Sequence, residues 1–404
     1  MRVSKHHGLL SYCSNIHPGE SWTATFENIK NYTTKVKDGL KAESFGIGLR
    51  LSNEASIELL EGSNLADFKT WMEGQRMYVF TINGFPYGNF HNQVVKDDVH
   101  TPDWSTTERL AYTIRLFDIL AFLLPEGLDG GVSTSPISYK FWHKDAEALK
   151  RVKVLGIGHL AKLFIHLNQI KEDTGKSLHL DMEPEPDGIL ENSIEFVDFF
   201  KYELLPIASK QLREKLNITQ ENAEALIREH FQLCYDVCHF AVGFESPSEA
   251  LARVRSENIK IGRIQISAAL SSGVLSSITS RDLIKEQLSL FDEPTYLHQA
   301  VAKKQNGELV KFKDLGPGLK EIQNPEFEEI RTHFHVPIFT EKYENLISTQ
   351  KAIVDTLEIW KKENFTNHLE VETYTWNVLP KAMQTDIVSS IVRELNWVRN
   401  QVEK

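Results

Sequence analysis

Eight short apolar runs punctuate the chain, at residues 9–14, 45–51, 77–82, 137–141, 178–182, 231–235, 259–267 and 368–375. They are nearly continuous and rich in β-branched and aromatic side chains, the pattern of parallel strands covered on their outer face. Between them lie longer stretches with helical periodicity. Ser105-Thr106-Thr107-Glu108 and Ser246-Pro247-Ser248-Glu249 have the form of capping boxes, the second with proline at the first helical position. Residues 148–173 keep a helical period up to Gly175, which suits a C-terminal cap. Strand and helix alternating in this way predict an α/β fold, a (β/α)8 TIM barrel, in preference to a doubly wound open sheet.

The spacing breaks once. Roughly a hundred residues separate Ser267 from His368, where about thirty suffice for one crossover unit. The stretch holds a hairpin signal at Asn306-Gly307, a Gly316-Pro317-Gly318 break, and an aromatic and histidine-bearing segment from Thr332 to Phe339. The chain is therefore expected to be one barrel domain over 1–404, with an insertion after strand seven at about 270–345. Long connections are usually functional, and this one would form a lid or an extra β-hairpin on the catalytic face.

Acids and histidines gather at the ends of the later strands. The run 178–182 leads into Glu183-Pro184-Glu185-Pro186, the run 231–235 into Asp236-Val237-Cys238-His239, and the last run carries Glu372. Catalytic groups of such barrels sit at the C-terminal ends of the strands, and oxygen and imidazole donors converging there suit a divalent cation, Mn, Mg or Zn. Side chains alternate along a strand, so His179, Asp181 and Glu183 share one face, as do Glu370 and Glu372. Glu183 and Glu372, nearest the mouth, are the expected ligands, with Glu185 competing for the first position. His239 follows Asp236 by three residues, so the strand must bend into its loop if both are to reach one centre. Strand seven ends without a histidine. Gln265 and Ser267 are its polar candidates, and His333 or His335 from the insertion would supply an imidazole, His335 being preferred. Two readings of that histidine pair stay open, ligation or packing in an extra strand.

The early strands offer polar and aromatic groups. Asn15 and His17 follow strand one, Arg50 ends strand two, and Lys140 lies in the run taken as strand four. The loop Asn83-Gly84-Phe85-Pro86-Tyr87-Gly88, continuing to His91, is shaped to wall a ligand pocket with Asn83, Tyr87 and His91, or else to seal the barrel as a rigid turn. Arg50 and Lys140 would meet an anionic group or merely neutralise the acids. His17, His333 and these five make up the expected substrate contacts.

Composition narrows the function classes. Of 404 residues, 41% are hydrophobic and 25% charged, which fits a chain that folds throughout. A formal charge of -11 disfavours non-specific binding to nucleic acid or anionic lipid, both of which need a cationic face. The stretch Met1-Arg2-Val3-Ser4-Lys5-His6-His7 is positive but has no signal-peptide core behind it. No apolar run approaches the roughly 18 residues of a membrane helix, so a cytoplasmic location is expected. Three cysteines, Cys13, Cys234 and Cys238, are too few for a disulfide framework and are expected as packed thiols.

The set Glu183, Asp236 with His239, and Glu372 resembles the metal set of the xylose-isomerase-like TIM barrels, a superfamily of sugar isomerases, sugar epimerases and apurinic-site endonucleases. That resemblance implies a Glu from strand five, an Asp from strand six with a His three residues on, a His from strand seven and a Glu from strand eight. Gln265 stands in the region of the strand-seven His. The resemblance implies a metal-dependent proton shuttle on a small polyhydroxylated or cyclic metabolite, with Glu183 and Glu372 as acid/base pair. The charge balance and absent basic stripes weigh against the nucleic-acid branch, so no nucleic-acid partner is expected. Within the superfamily, residues 10–22, 45–52, 80–88, 332–337 and 368–376 are similar to a metabolite-traffic branch, which implies partners from one gene cluster. The alternative is a metabolite-binding or traffic protein that keeps the pocket without turnover.

Overall fold

The computed structural model describes residues 1–3, 8–88, 90–91 and 94–403; the positive segment at residues 4–7 lies outside them. Its strands are β1 (Arg2–Val3), β2 (Gly8–Tyr12), β3 (Phe45–Arg50), β4 (Met77–Asn83), β5 (Gly130–Thr134), β6 (Leu178–Met182), β7 (Phe231–Asp236), β8 (Ile261–Ile266), β9 (Leu270–Ser271), β10 (Ala300–Lys304), β11 (Leu309–Phe312), β12 (Phe327–Thr332), β13 (Lys342–Tyr343), β14 (Leu346–Ser348) and β15 (His368–Val371). One sheet runs β1-β2-β15-β8-β7-β6-β5-β4-β3. Every pairing in it is parallel except β1 with β2.

The sheet curls until β2 meets β3. Cys13 and Gly48 form a parallel bridge, and Ser11 Oγ donates to the Gly46 carbonyl at 2.7 Å while accepting from the Gly48 N–H at 2.9 Å. Glycine is required at position 48, because a Cβ there would run into the Tyr12 carbonyl and the Glu370 carboxylate. The result is a nearly closed parallel barrel wrapped by helices.

The run 137–141 is not a strand, and this corrects the sequence expectation. The fourth parallel strand is Gly130–Thr134; Ile137 sits in the left-handed region at φ 70°, and Lys140–Trp142 is a 3-10 turn. The true strand is small and polar because the barrel interior beside it is already full. A Cβ on Gly131 would lie 2.5 Å from Asp181 Oδ2 and 2.6 Å from His179 Cε1. Helix Ala146–Thr174 does end at Gly175, whose φ of 71° closes it. Of the two expected capping boxes, the first is displaced by one residue, with Thr106 accepting from Arg109 N–H, and Ser246 caps no N–H although Pro247 does open its helix.

The segment after β8 builds a second, antiparallel sheet in the order β11-β10-β12-β9-β14-β13. Gly307, at φ 87°, makes the turn between β10 and β11. The segment rejoins the barrel rim through Val336 N–H to the Ala268 carbonyl at 3.0 Å and Thr349 N–H to the Ala269 carbonyl at 2.9 Å. Its histidine stretch, residues 333–337, leaves β12 without forming a strand. Among the described residues no helix is long and apolar enough to cross a membrane. Cys13, Cys234 and Cys238 are free and buried.

Candidate metal centre

Three carboxylates meet above the barrel core. Glu183 follows β6, with its N–H on the Thr134 carbonyl at 3.0 Å; Asp236 ends β7; Glu372 follows β15, with its N–H on the Ile266 carbonyl at 3.1 Å. All three are buried, and one carboxylate oxygen of each lies within 4.8 Å of the others. Asn15 and Asn83 donate to Glu372 Oε1 at 2.7 and 3.1 Å, and Ser267 Oγ donates to Asp236 Oδ1 at 2.6 Å. Glu183 Oε2 and Asp236 Oδ2 have no hydrogen-bond partner. Burial, and then the neighbouring carboxylates, push Glu183 and Glu372 well above the ordinary glutamate range. Like charges held this close need protons or a cation between them.

The chain bends at Asp236, where it must for His239 to join the group. Asp236 is both the last residue of β7 and the N-cap of helix Val237–Val242, accepting the His239 N–H at 3.1 Å. His239 Nδ1 donates to the Pro184 carbonyl at 3.0 Å, which leaves its Nε2 with a lone pair. His335 Nδ1 likewise donates to the Glu372 carbonyl at 3.0 Å, and its Nε2 has no partner. One donor atom each from Asp236, His239 and His335 falls within 4.8 Å of the others, as do atoms of Glu185, His239 and His333.

His333 sharpens the point. Gln299 Nε2 donates to the Pro186 carbonyl at 2.9 Å, so its Oε1, 2.9 Å from His333 Nδ1, must accept from that ring. The Nε2 lone pairs of His239 and His333 then face each other at 3.1 Å. Two lone pairs repel unless a proton or a cation lies between them, and in tetrahedral zinc coordination donor atoms at about 2.05 Å from the ion stand about 3.3 Å apart. Burial holds both insertion histidines neutral, His335 down to about 4 and His333 well below the usual range, with His239 adding to each effect. The donor set present, buried carboxylate oxygens and neutral imidazole nitrogens with unused lone pairs, fits a divalent cation.

No family model matches the chain, and no curated protein matches it in sequence. Solved structures do match its fold. A xylose isomerase-like TIM barrel protein from Mycobacterium smegmatis, in complex with magnesium, aligns over 100% of this chain and 98% of that one, with a TM-score of 0.52 and 12% identity. This chain shares the fold of a xylose isomerase-like TIM barrel. Also similar are a D-tagatose 3-epimerase-like protein (TM-score 0.49, 10% identity, 98% and 97% of the two chains) and the IOLI protein with a zinc atom (TM-score 0.44, 11% identity, 98% of each).

Within this TIM barrel a cavity of about 50 Å³ adjoins the carboxylates. The site residues expected from sequence divide into those that reach it and those that do not. Asn83, Glu183, Glu185, His239, His333, His335 and Glu372 line it. Gln265 lies on β8 in register with Asp236 and Glu370, fully buried, with neither amide atom hydrogen-bonded, and does not line the cavity. His91 stands one step behind the wall, bridging the Asn15 carbonyl at 2.6 Å and Tyr296 Oη at 3.1 Å.

Four residues point elsewhere. Lys140, carried out of the barrel by the 3-10 turn, pairs with Glu191 at 2.8 Å. The Arg50 guanidinium donates to the Gly19 carbonyl and to both oxygens of Glu20. His17 bonds Tyr12 Oη at 3.0 Å and stacks on Tyr32 with ring centroids 4.5 Å apart. Tyr87 packs edge-on against Tyr112. The 3-10 turn Ser14–Ile16 explains the exchange of roles in the first loop: it aims Asn15 at the acids and His17 away from them. Gln299, Tyr296 and Tyr374, which also line the cavity, carry no local sequence signal that marks them as wall residues.

Proposed function

We propose that the chain is a divalent-metal-dependent isomerase- or epimerase-like enzyme acting on a small polyhydroxylated or cyclic metabolite. The observation that carries this reading is the meeting of Glu183, Asp236 and Glu372 in one buried group with unused oxygens. These three, with His239 and His335, would hold Mn, Mg or Zn; His335 takes the place of the strand-seven histidine, and Gln265 is a reserve oxygen donor. When bound, the metal would polarise a carbonyl or hydroxyl oxygen of the metabolite.

The chain's own groups supply the rest. β6 and β15 are separated in the sheet by β7 and β8, so Glu183 and Glu372 approach the cavity from different sides. One carboxylate would take the proton from the carbon α to the substrate carbonyl, and the other would return a proton to the opposite face of that carbon, which inverts the centre with no net change in atoms. Asn83 and His333 face the same space and would orient substrate oxygens, with His91 bracing the wall behind them. A cavity of about 50 Å³ holds only a few waters. Substrate admission would therefore require Tyr296, Gln299, His333 and His335, in the loops that flank the second sheet, to move, and the segment at about 270–345 would act as a lid on a single barrel domain.

The test is deuterium exchange. Full-length protein loaded with Mn or Mg is expected to exchange the proton next to the carbonyl of a ketose or cyclic polyol ketone in D2O, and Glu183→Gln to abolish exchange. Metal binding without exchange across such a panel would sink the enzymatic reading. It would favour a second one, a metabolite-binding or traffic protein, to which the small cavity and Gln265 in place of a histidine lend support. On that reading the similarity to the metabolite-traffic protein EboE would place the chain in a bacterial gene cluster that moves a precursor towards the periplasm, with partners from the same cluster.

A further inference from the structure

At the opposite end of the barrel, among the N-terminal ends of the strands, Asp129, His179 and His368 form a second group whose donor atoms lie within 4.8 Å of one another. His179 opens the inner face of β6 and Glu183 lies four residues on, so at about 3.3 Å per residue the two groups stand roughly 13 Å apart. The mouth centre does not use these residues.

The ring orientations are those of a ligand set. His179 Nδ1 bonds Asp181 Oδ1 at 2.5 Å, and Asp181 is held in turn by Arg263 Nε at 2.9 Å. A histidine whose one nitrogen donates to a carboxylate presents the other as a fixed lone pair, the usual support for a metal-bound imidazole. His179 Nε2 has no hydrogen-bond partner, and neither ring nitrogen of the fully buried His368 has one. Asp129 Oδ2 lies 3.7 Å from His179 Nε2, and its Oδ1 lies 3.6 Å from His368 Nε2. Both gaps are too long for hydrogen bonds and close to the donor–donor edge of about 3.3 Å around a tetrahedral ion.

Space is kept for the pair: a Cβ on Gly131 or on Gly262 would strike the Asp181 carboxylate and the His179 ring. An imidazolium at His179 is the competing account, and burial, opposed by Asp181 and Asp129, leaves that ring titrating at about 9. That account satisfies His179 and leaves a buried His368 with two unmet nitrogens, a destabilising arrangement for polar atoms cut off from water. A cation would take up one nitrogen of each ring, His179 Nε2 and His368 Nε2. Asp129 is 35% exposed and borders a surface hollow with Glu126, Gly127, Thr174 and Lys176, which provides a path from solvent.

We infer that Asp129, His179 and His368 form a second divalent-cation site, of the zinc or cobalt type, that clamps the floor of the barrel. It joins the segment before β5 to β6 and β15, which are not neighbours in the sheet.

The test isolates the floor by disabling the mouth. Full-length protein carrying Glu183→Gln, Glu372→Gln, His239→Gln and His335→Gln, which together break every donor group at the mouth, is stripped with chelator, titrated with Co2+ and followed by equilibrium dialysis and visible absorption. One bound equivalent with ligand-field bands of low coordination number is expected. Adding His368→Gln should weaken binding by about 100-fold, an order of magnitude argued from ligand-shell losses. Asp129→Asn, on the half-exposed loop, should weaken it as well while circular dichroism remains unchanged, so that a folding failure at position 368 does not decide the matter. The inference is overturned when the mouth-disabled protein binds no cobalt. It is equally overturned when the cobalt survives both substitutions, or when 15N spectra show His179 doubly protonated in excess cobalt. A wild-type protein that binds a single equivalent, lost with His368 and kept with Glu372→Gln, would refute the mouth centre and leave the floor site standing.

Discussion

Glu372→Gln should change sign with metal. The amide is nearly isosteric and keeps an oxygen for Asn15 and Asn83, which donate to Glu372 Oε1, while removing one of three clustered charges. In the metal-free protein Glu372 is held well above its ordinary value of 4.5, by burial and then by Asp236. A carboxyl with a raised folded pKa binds more protons when folded than when unfolded. Its stability cost is absent below about pH 4.5 and grows as pH rises towards the folded value. At pH 7 the cost of keeping the proton is about 1.36 kcal/mol for each of 2.5 pH units, or about 3 kcal/mol as an upper bound.

With an unfolding entropy of about 2.1 cal/mol/K per residue over 404 residues, near 0.85 kcal/mol/K, that corresponds to a melting temperature about 3–4 °C higher for the metal-free variant. Metal reverses the order. A cation at about a thousand times its Kd stabilises the wild type by about 4 kcal/mol, close to 5 °C, and the variant loses most of that gain. Scanning calorimetry of stripped and metal-saturated proteins at pH 4.5, 7 and 8 reads both effects. A variant that melts below the wild type with and without metal, at every pH, would refute the clustered-charge account and leave Glu372 a purely structural group.

Two further outcomes follow from buried charge away from the mouth. Glu394, buried and raised to about 7, accepts Thr373 Oγ1 at 2.8 Å and Ile338 N–H at 3.2 Å. Its cost accumulates between about pH 4.5 and 7, so Glu394→Gln should add up to about 3 kcal/mol at pH 8 and nothing near pH 4 in urea melts; a gain independent of pH would contradict this. Arg263 ties Asp181 and Glu370 together, each at 2.9 Å, inside the barrel. Arg263→Met strands two buried acids and should cost about 3–5 kcal/mol, whereas a loss below about 1 kcal/mol in the same melts would show that the acids are neutral in the native state.

The chain's own pattern determined the alternation of strand and helix and the height of the acids on their strands. Both are local matters: a buried parallel strand must be apolar along its length, and the alternation of side chains carries Glu183, Asp236 and Glu372 to one level. The fourth strand escaped that logic because Gly130–Thr134 was shaped by what faces it, the His179–Asp181 pair, and not by its own propensity. The apolar run at 137–141 has the composition of a strand and is turned out of the sheet at Ile137. Arg50, His17 and Lys140 show the same division. Their chemistry was legible, but direction depended on partners distant in sequence or on a single 3-10 turn. The approach of His333 and His335 to Asp236 and His239 was the least legible of all, since nearly a hundred residues and a second sheet intervene, and only the packing of that sheet on the barrel rim brings the four together.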